Sequence, residues 1–368
     1  MKRFLLAAVL ALVVFGCARK DPPIELFRVT AVVETYIPLI EKPDAKTACL
    51  LDGMEVCRPF LERAGVVCSD GGGKFDLVFV RGDQEPGEWK RHLKRLNEDG
   101  VLVWSLDMKG VTASEFKARL EAFPCAEAHL WIPGLEEWML VGRTAKREVR
   151  LDEALDRFVR EEAFDDLVGS GCETLPELLA SYVGTREQVL PAFAEGDLSA
   201  VVKPQHVLSQ EVPGVAWLVQ GDVEDEIFGE IEAKWRKFQL ARGEVVVGGM
   251  LAEKGEVDAS LEKLAAARKE NPHDPLLMER IDRLEVNAHA FFKVGNVKMA
   301  TSCYEAAVVI NPDDPGNVRC LGQCYFMSGA REKGEALMRK ADAMSFGRMR
   351  DVIRREHEEE APADGASD

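Results

Sequence analysis

Lys74-Phe75-Asp76-Leu77-Val78-Phe79-Val80 is a short apolar run bounded by charge, with Arg81 directly after it. A near-continuous apolar segment of this length reads as a strand buried on both faces, the kind found in parallel sheets. Downstream, Trp89–Leu96 has helical spacing, and Asp99-Gly100 leads into a second apolar run, Val101–Leu106. Ser114–Phe123 is helical again, with Thr112 and Glu115 spaced as a capping box. Leu130–Pro133 and Glu137–Val141 read as a closing antiparallel pair. Upstream, Asp70-Gly71-Gly72-Gly73 is a turn, Val66-Val67-Cys68 a short strand, and Met54–Ala64 a helix. Thr47–Leu51 and Val29–Val33 are further β-rich runs. Strands alternating with helices over 28–150 predict an α/β domain with a mostly parallel, helix-covered sheet.

The C-terminal third has a different period. Gly295, Ala300, Tyr304, Ala307 and Pro312 recur in kind as Leu321-Gly322, Tyr325, Gly329, Gly334 and Ala341. On a 34-residue ruler Phe291 precedes Tyr325, and Gly295 precedes Gly329. Gly248, Leu251, Gly255, Leu264, Ala267 and Pro272 form a weaker earlier copy. This pattern resembles the tetratricopeptide repeat, whose small residues let paired helices approach. Leu284 and Val318 stand where its signature tryptophan is expected. Pro272 and Pro312 are 40 residues apart, which calls for longer helices or an inserted loop. The repeats are placed at 226–348. A capping helix (Phe346–Glu360) and an acidic tail are expected within 349–368. Residues 151–225 are read as a helical connector, with helices at Leu151–Leu167, Thr174–Tyr182 and Glu187–Phe193.

The N-terminus carries a targeting signal. Met1-Lys2-Arg3 is basic, Phe4–Phe15 is an apolar run of 12 residues, and Gly16-Cys17 follows. Twelve residues are too few to span a bilayer as a helix. The small residue before cysteine resembles the lipobox of bacterial lipoproteins, with Val14 and Phe15 departing from its usual residues. The resemblance implies loss of 1–16, acylation of Cys17 with a palmitate-type chain, and a tether over 17–27. It places the protein on a membrane of the cell envelope, in the outer membrane on its periplasmic or surface face. An ordinary cleaved signal or an uncleaved anchor is the alternative.

With 46% apolar and 30% charged residues, the remainder is globular in composition. The net charge of −17 becomes −19 without Lys2 and Arg3. Such acidity argues against nucleic acid and against electrostatic adhesion to anionic lipid. No C-x-x-C, H-E-x-x-H, P-loop or G-x-S-x-G occurs, so no metal or cofactor site is expected from motif. Cys320 and Cys324 share a helix face, where two packed thiols are expected.

In the α/β zone, the run Lys74–Val80 is similar to the "YDVIIVD" strand of spermidine synthases and their methyltransferase-like relatives. Glu98-Asp99-Gly100-Val101-Leu102-Val103-Trp104 looks like the family's "P-G-G-V-L-V" turn and strand. Phe116 through Phe123-Pro124, Leu130-Trp131 and Trp138–Gly142 resemble its "F…FP…LW…LLVG" run. Leu175–Leu179 and Val202–Glu211 resemble the helical tail of the fused relatives, so the likeness spans roughly 74–212. It implies a truncated Rossmann-like, methyltransferase-type sheet. Two departures count against the activity. Arg81 stands where the family strand ends in an aspartate, and no glycine-rich turn follows any strand upstream of residue 74; Asp52-Gly53 corresponds to the family's adenine-side acidic turn, but two residues do not make a site.

The expected function is therefore that of a membrane-tethered, non-catalytic interaction protein, binding a protein or peptide through the repeats. The alternative is a transferase related to spermidine synthase and S-adenosylmethionine-dependent methyltransferases, with an unrecognised site. On the repeat ruler Glu285, His289 and Phe292 fall on the inner face of one first helix, and Arg319, Gln323 and Phe326 on that of the next. These six are the expected partner-binding residues; no catalytic, cofactor or metal residues are expected.

Substituting Cys17→Ser is expected to shift the protein from the membrane to the soluble fraction or to leave the signal uncleaved. Fractionation and intact mass check this, and no change in either contradicts acylation.

Overall fold

The computed structural model describes residues 24–359, apart from 52, 135, 146–147, 159–164, 169, 171, 173, 196–197, 199–217 and 220. Cys17, the signal, Val202–Glu211 and the tail from 360 onward lie outside the described residues. Two compact units emerge, one holding the sheet with residues up to 250 and 266–278, the other holding 251–265 and the residues from 279.

The sheet unit has seven strands: β1 (Thr47–Leu50), β2 (Val67–Cys68), β3 (Phe75–Arg81), β4 (Leu96–Asp107), β5 (Glu127–Trp131), β6 (Glu137–Arg143) and β8 (Tyr182–Thr185). Their order is β2-β1-β3-β4-β6-β5-β8. The first four are mutually parallel, and β6, β5 and β8 join antiparallel. A two-stranded ribbon pairs β7 (Val149–Arg150) with β9 (Leu218–Val219). Alternation along the strands separates two faces. One carries an aromatic cluster, in which Trp89 of α3 (Pro86–Lys94) meets Trp104 edge-on at 4.8 Å, and Phe116 of α4 (Ala113–Ala122) meets Trp138 at 4.9 Å. α4 begins with the capping box read in the sequence, Thr112 and Glu115 each bonding the other's backbone N–H.

The other face is covered by α1 (Ile24–Glu41), which corrects the expected strand at Val29–Val33 and starts inside the stretch read as a tether. Every residue from 31 to 42 is buried. Val33, Tyr36, Ile37 and Ile40 share one core with Leu77, Phe79, Val103 and Val141 of the sheet, and with Leu151, Leu178, Leu179 and Trp235. A helix enclosed on all sides has no polar face to reveal its period, so its sequence looks like a buried strand. The connector supplies α5 (Leu151–Phe158) and α6 (Leu175–Leu179), but the expected helix Thr174–Tyr182 stops early and turns into β8, the edge strand beside β5.

The chain continues as α8 (Asp225–Glu253), α9 (Val257–Glu270), α10 (Pro275–Lys293), α11 (Val297–Ile310), α12 (Pro315–Met327) and α13 (Arg331–Glu359), after the short α7 (Arg186–Val189). α8 is held to the sheet unit: Trp235 Nε1 donates to Leu179 O at 2.8 Å, Gln239 Nε2 to Tyr182 O at 2.6 Å, and Arg242 bonds Ser181 Oγ at 2.9 Å and Asp274 at 2.6 Å. Asn-Pro-His-Asp-Pro at 271–275 and Asn-Pro-Asp-Asp-Pro at 311–315 punctuate the series; Asp274 and Asp314 accept backbone N–H groups of α10 and α12. The 40-residue spacing arises within α10, which has 19 residues against 13 in α12. α13 is one continuous helix of 29 residues, so the expected separate capping helix is its C-terminal half.

In the helical unit the core gathers Ala288, Ala300, Cys303, Tyr304, Leu321 and Cys324. All eight cysteines among the described residues are free thiols. α12 and α13 approach backbone to backbone: a Cβ on Gly334 would lie 2.6 Å from Gly322 O and 2.7 Å from Phe326 N. Gly334→Ala is therefore expected to cost about 1–3 kcal/mol, because backbone atoms cannot swing aside. Gly229→Ala, in open space on α8, is expected to stabilise by about 0.5–1 kcal/mol. Urea denaturation of the two variants checks the contrast.

Candidate functional site

In open α/β sheets, ligands bind outside the carboxyl ends of the parallel strands. Here that edge is filled by the chain itself. Arg81, the last residue of β3, turns its guanidinium onto Glu34 of α1, with Nη2 3.0 Å from Oε2 and 3.2 Å from Oε1. Ser105 of β4 donates to Glu34 Oε1 at 2.5 Å. The Glu34 side chain is wholly buried, and Arg81 is 26% exposed. Burial works against the Arg81 charge, and the adjacent Glu34 outweighs it, so its pKa is raised. Around them Trp104 Nε1 donates to Gly82 O at 2.6 Å, and Gln84 Nε2 to Arg81 O at 3.1 Å.

In this arrangement the two charged groups are spent on each other. A guanidinium cannot take a proton at ordinary pH, and both oxygens of Glu34 are already occupied. Burial and the Glu34 charge push the Cys57 thiol up. The sequence singled out Arg81 but not Glu34. The partner lies 47 positions away on the helix that reads as a strand. Among the described residues, no group of three or more His, Cys, Asp or Glu side chains is placed to hold a metal ion. No helix there is long and apolar enough to cross a membrane.

The six residues expected to bind a partner lie on α10 and α12. Glu285 is half-buried; its Oε1 accepts Asn317 Nδ2 at 2.5 Å, which links the two helices, and burial raises its pKa. His289 is exposed, with Nδ1 3.1 Å from the Tyr304 hydroxyl. Phe292 is half-buried against the core. Arg319 and Gln323 are exposed, and Arg319 pairs with Asp342 of α13. Phe326 is 39% exposed, with the Arg331 guanidinium 5.5 Å from its ring centroid. The two phenylalanines that hold one ruler position are thus unequal: Phe292 packs inward and Phe326 outward.

Sequence reasoning missed exposed apolar residues beside these six, among them Val286, Val294 and Met327. Met327 falls at the ruler position of Lys293, so recurrence of residue type could not find it. Its exposure follows from its place at the end of α12, where the helix stops at Ser328.

Arg81→Met is expected to destabilise the sheet unit by about 3 kcal/mol, because it leaves a buried carboxylate without its cation. Combining it with Glu34→Gln is expected to recover most of that loss. Chemical denaturation of the single and double variants checks this, and additive losses contradict it.

Comparison of the chain with protein-family models, curated proteins and solved structures finds no match, so the site is defined by its own geometry.

Proposed function

We propose that this chain is a membrane-tethered, non-catalytic interaction protein that captures a protein or peptide partner through α10 and α12. The observation that carries the reading is the outward row on α12: Arg319, Gln323 and Phe326, continued by Met327, which is 58% exposed. Spacings of four and three residues put the first three on one helix face. Aromatic and arginine side chains dominate binding energy at interfaces, and a helical stack presents them on a rigid support.

In this reading the α/β unit is a degenerate spermidine synthase-like domain acting as the support. Four parallel strands closed by an antiparallel pair favour that ancestry, and the Arg81–Glu34 pair at the carboxyl edge argues against retained transfer chemistry. The tether is the lipid on Cys17, and the helices from α8 onward serve as tetratricopeptide-like repeats.

Alanine substitution separates binding from packing. Phe326→Ala is expected to change stability by less than about 1 kcal/mol while weakening partner capture from native membranes. Phe292→Ala is expected to cost about 2 kcal/mol, the low end of large-to-small losses, since the ring is only half-buried. Melting temperature and quantitative capture are read on both variants. Unchanged capture with Phe326→Ala counts against this face.

A further inference from the structure

The amino edge of the sheet holds a second buried charge cluster, remote in sequence from the repeats. Glu41, two turns after Glu34 on α1, places Oε1 2.8 Å from His129 Nδ1 and accepts the Trp131 indole N–H at 2.9 Å. Its Oε2 accepts Arg143 Nη2 at 2.9 Å. Glu127 lies on the far side: its Oε1 is 3.6 Å from His129 Nε2, and its Oε2 is 3.8 Å from Arg143 Nη1. Two carboxylates therefore alternate with an imidazole and a guanidinium around four side chains drawn from α1, β5 and β6. The His129 and Glu41 side chains are 0% exposed and Arg143 is 3% exposed.

A neutral imidazole has one N–H and one lone pair. Whichever nitrogen held the lone pair, it would face a carboxylate oxygen in a low-dielectric interior, where like-charge contacts are strongly felt. An imidazolium presents an N–H to each carboxylate. Each of these contacts is then between opposite charges.

We propose that His129 is an imidazolium in the folded protein, and that releasing its second proton to solvent at higher pH loosens α1 from β5 and β6, an alkali-sensitive latch. The groups facing the ring are Glu41 from α1, Glu127 on β5 itself, Arg143 from β6 and the Tyr182 ring from β8, edge-on at 5.9 Å. Burial alone pulls His129 toward neutrality, and Arg143 works in the same direction. The Glu41 charge and its hydrogen bond to Nδ1, together with the Glu127 carboxylate 3.6 Å from Nε2, outweigh them, and the pKa is raised. A raised value in the folded state fixes the sign. The stabilisation is complete below the unfolded value of about 6.5 and is lost as pH rises through the folded value.

The test uses the full chain labelled with ¹⁵N-histidine. Long-range ¹H–¹⁵N imidazole spectra at pH 7 are expected to show both His129 ring nitrogens protonated, at a pH where an ordinary histidine is largely neutral. Hydrogen exchange of amides in 37–41 and 141–143, corrected for its intrinsic pH dependence, is expected to accelerate across the same titration. His129→Gln should abolish that added acceleration. One deprotonated ring nitrogen at pH 7, or the same corrected acceleration in His129→Gln, would overturn the proposal. If that variant does not fold, Glu127→Gln decides: it should lower the His129 midpoint by about one pH unit, and an unmoved midpoint refutes the ring.

Discussion

Two glutamates on one buried helix hold the sheet unit together. Glu34 and Glu41 lie seven residues apart on α1, about 10 Å along the axis and on nearly the same side of the helix. One reaches Arg81 and Ser105 at the carboxyl edge of the sheet, the other His129, Trp131 and Arg143 at the amino edge. A carboxylate taken out of water is costly unless it is paired and fully hydrogen-bonded. Both glutamates meet that condition only when α1 lies in one position and one register over the strands. Apolar burial alone would tolerate sliding or rotation of so uniformly hydrophobic a helix; the two ion clusters do not.

The next layer depends on that placement. Leu151, Ala154, Leu178, Leu179 and Trp235 complete the core around α1, which explains why no side of it faces water. The Tyr36 hydroxyl reaches Asp166 at 3.0 Å, and Arg63 pairs with the same carboxylate at 2.5 Å. Segment 178–182 then offers backbone carbonyls and the Ser181 hydroxyl to Trp235, Gln239 and Arg242. Arg242 also takes Asp274 from the first Asn-Pro-x-Asp-Pro punctuation. The start of the helical series is thereby tied to the junction of α6 and β8, a stretch that the sequence read as one helix.

The two candidate regions differ in how their polar groups are spent. At the carboxyl edge the charged and hydroxyl groups satisfy one another inside the fold, and Arg81 is the part that reaches the surface. On α12, Gln323, Phe326 and Met327 stand out toward solvent, with Arg319 held by an exposed pair to Asp342 that contributes little to stability.

Local signals were legible in the sequence wherever one face of an element is wet or a turn needs a particular residue. The Thr112–Glu115 box and the Gly295 and Gly329 turns, with φ of 76° and 93°, belong to that class, while β3 and β4, buried on both faces, showed as near-continuous apolar runs. So does the recurrence that marked α10 and α12, since punctuation by Pro and Gly is a local backbone requirement. What the tertiary structure alone decided are the features that depend on burial from several sides. Val29–Val33 is helical because sheet, connector and α8 enclose it, and enclosure erases the period. Tyr182–Thr185 is a strand because β5 offers it an open edge. Phe292 and Phe326 part company because the first packs against the core of the helical unit while the second stands out beside the Arg331 guanidinium, so equal ruler positions meet unequal surroundings. Glu34 and Glu41 read as ordinary helix carboxylates until the fold brings Arg81, His129 and Arg143 to them from 47, 88 and 102 residues away. Charge pairing over such separations is a property of the folded chain, because only close approach in a dry interior makes it strong.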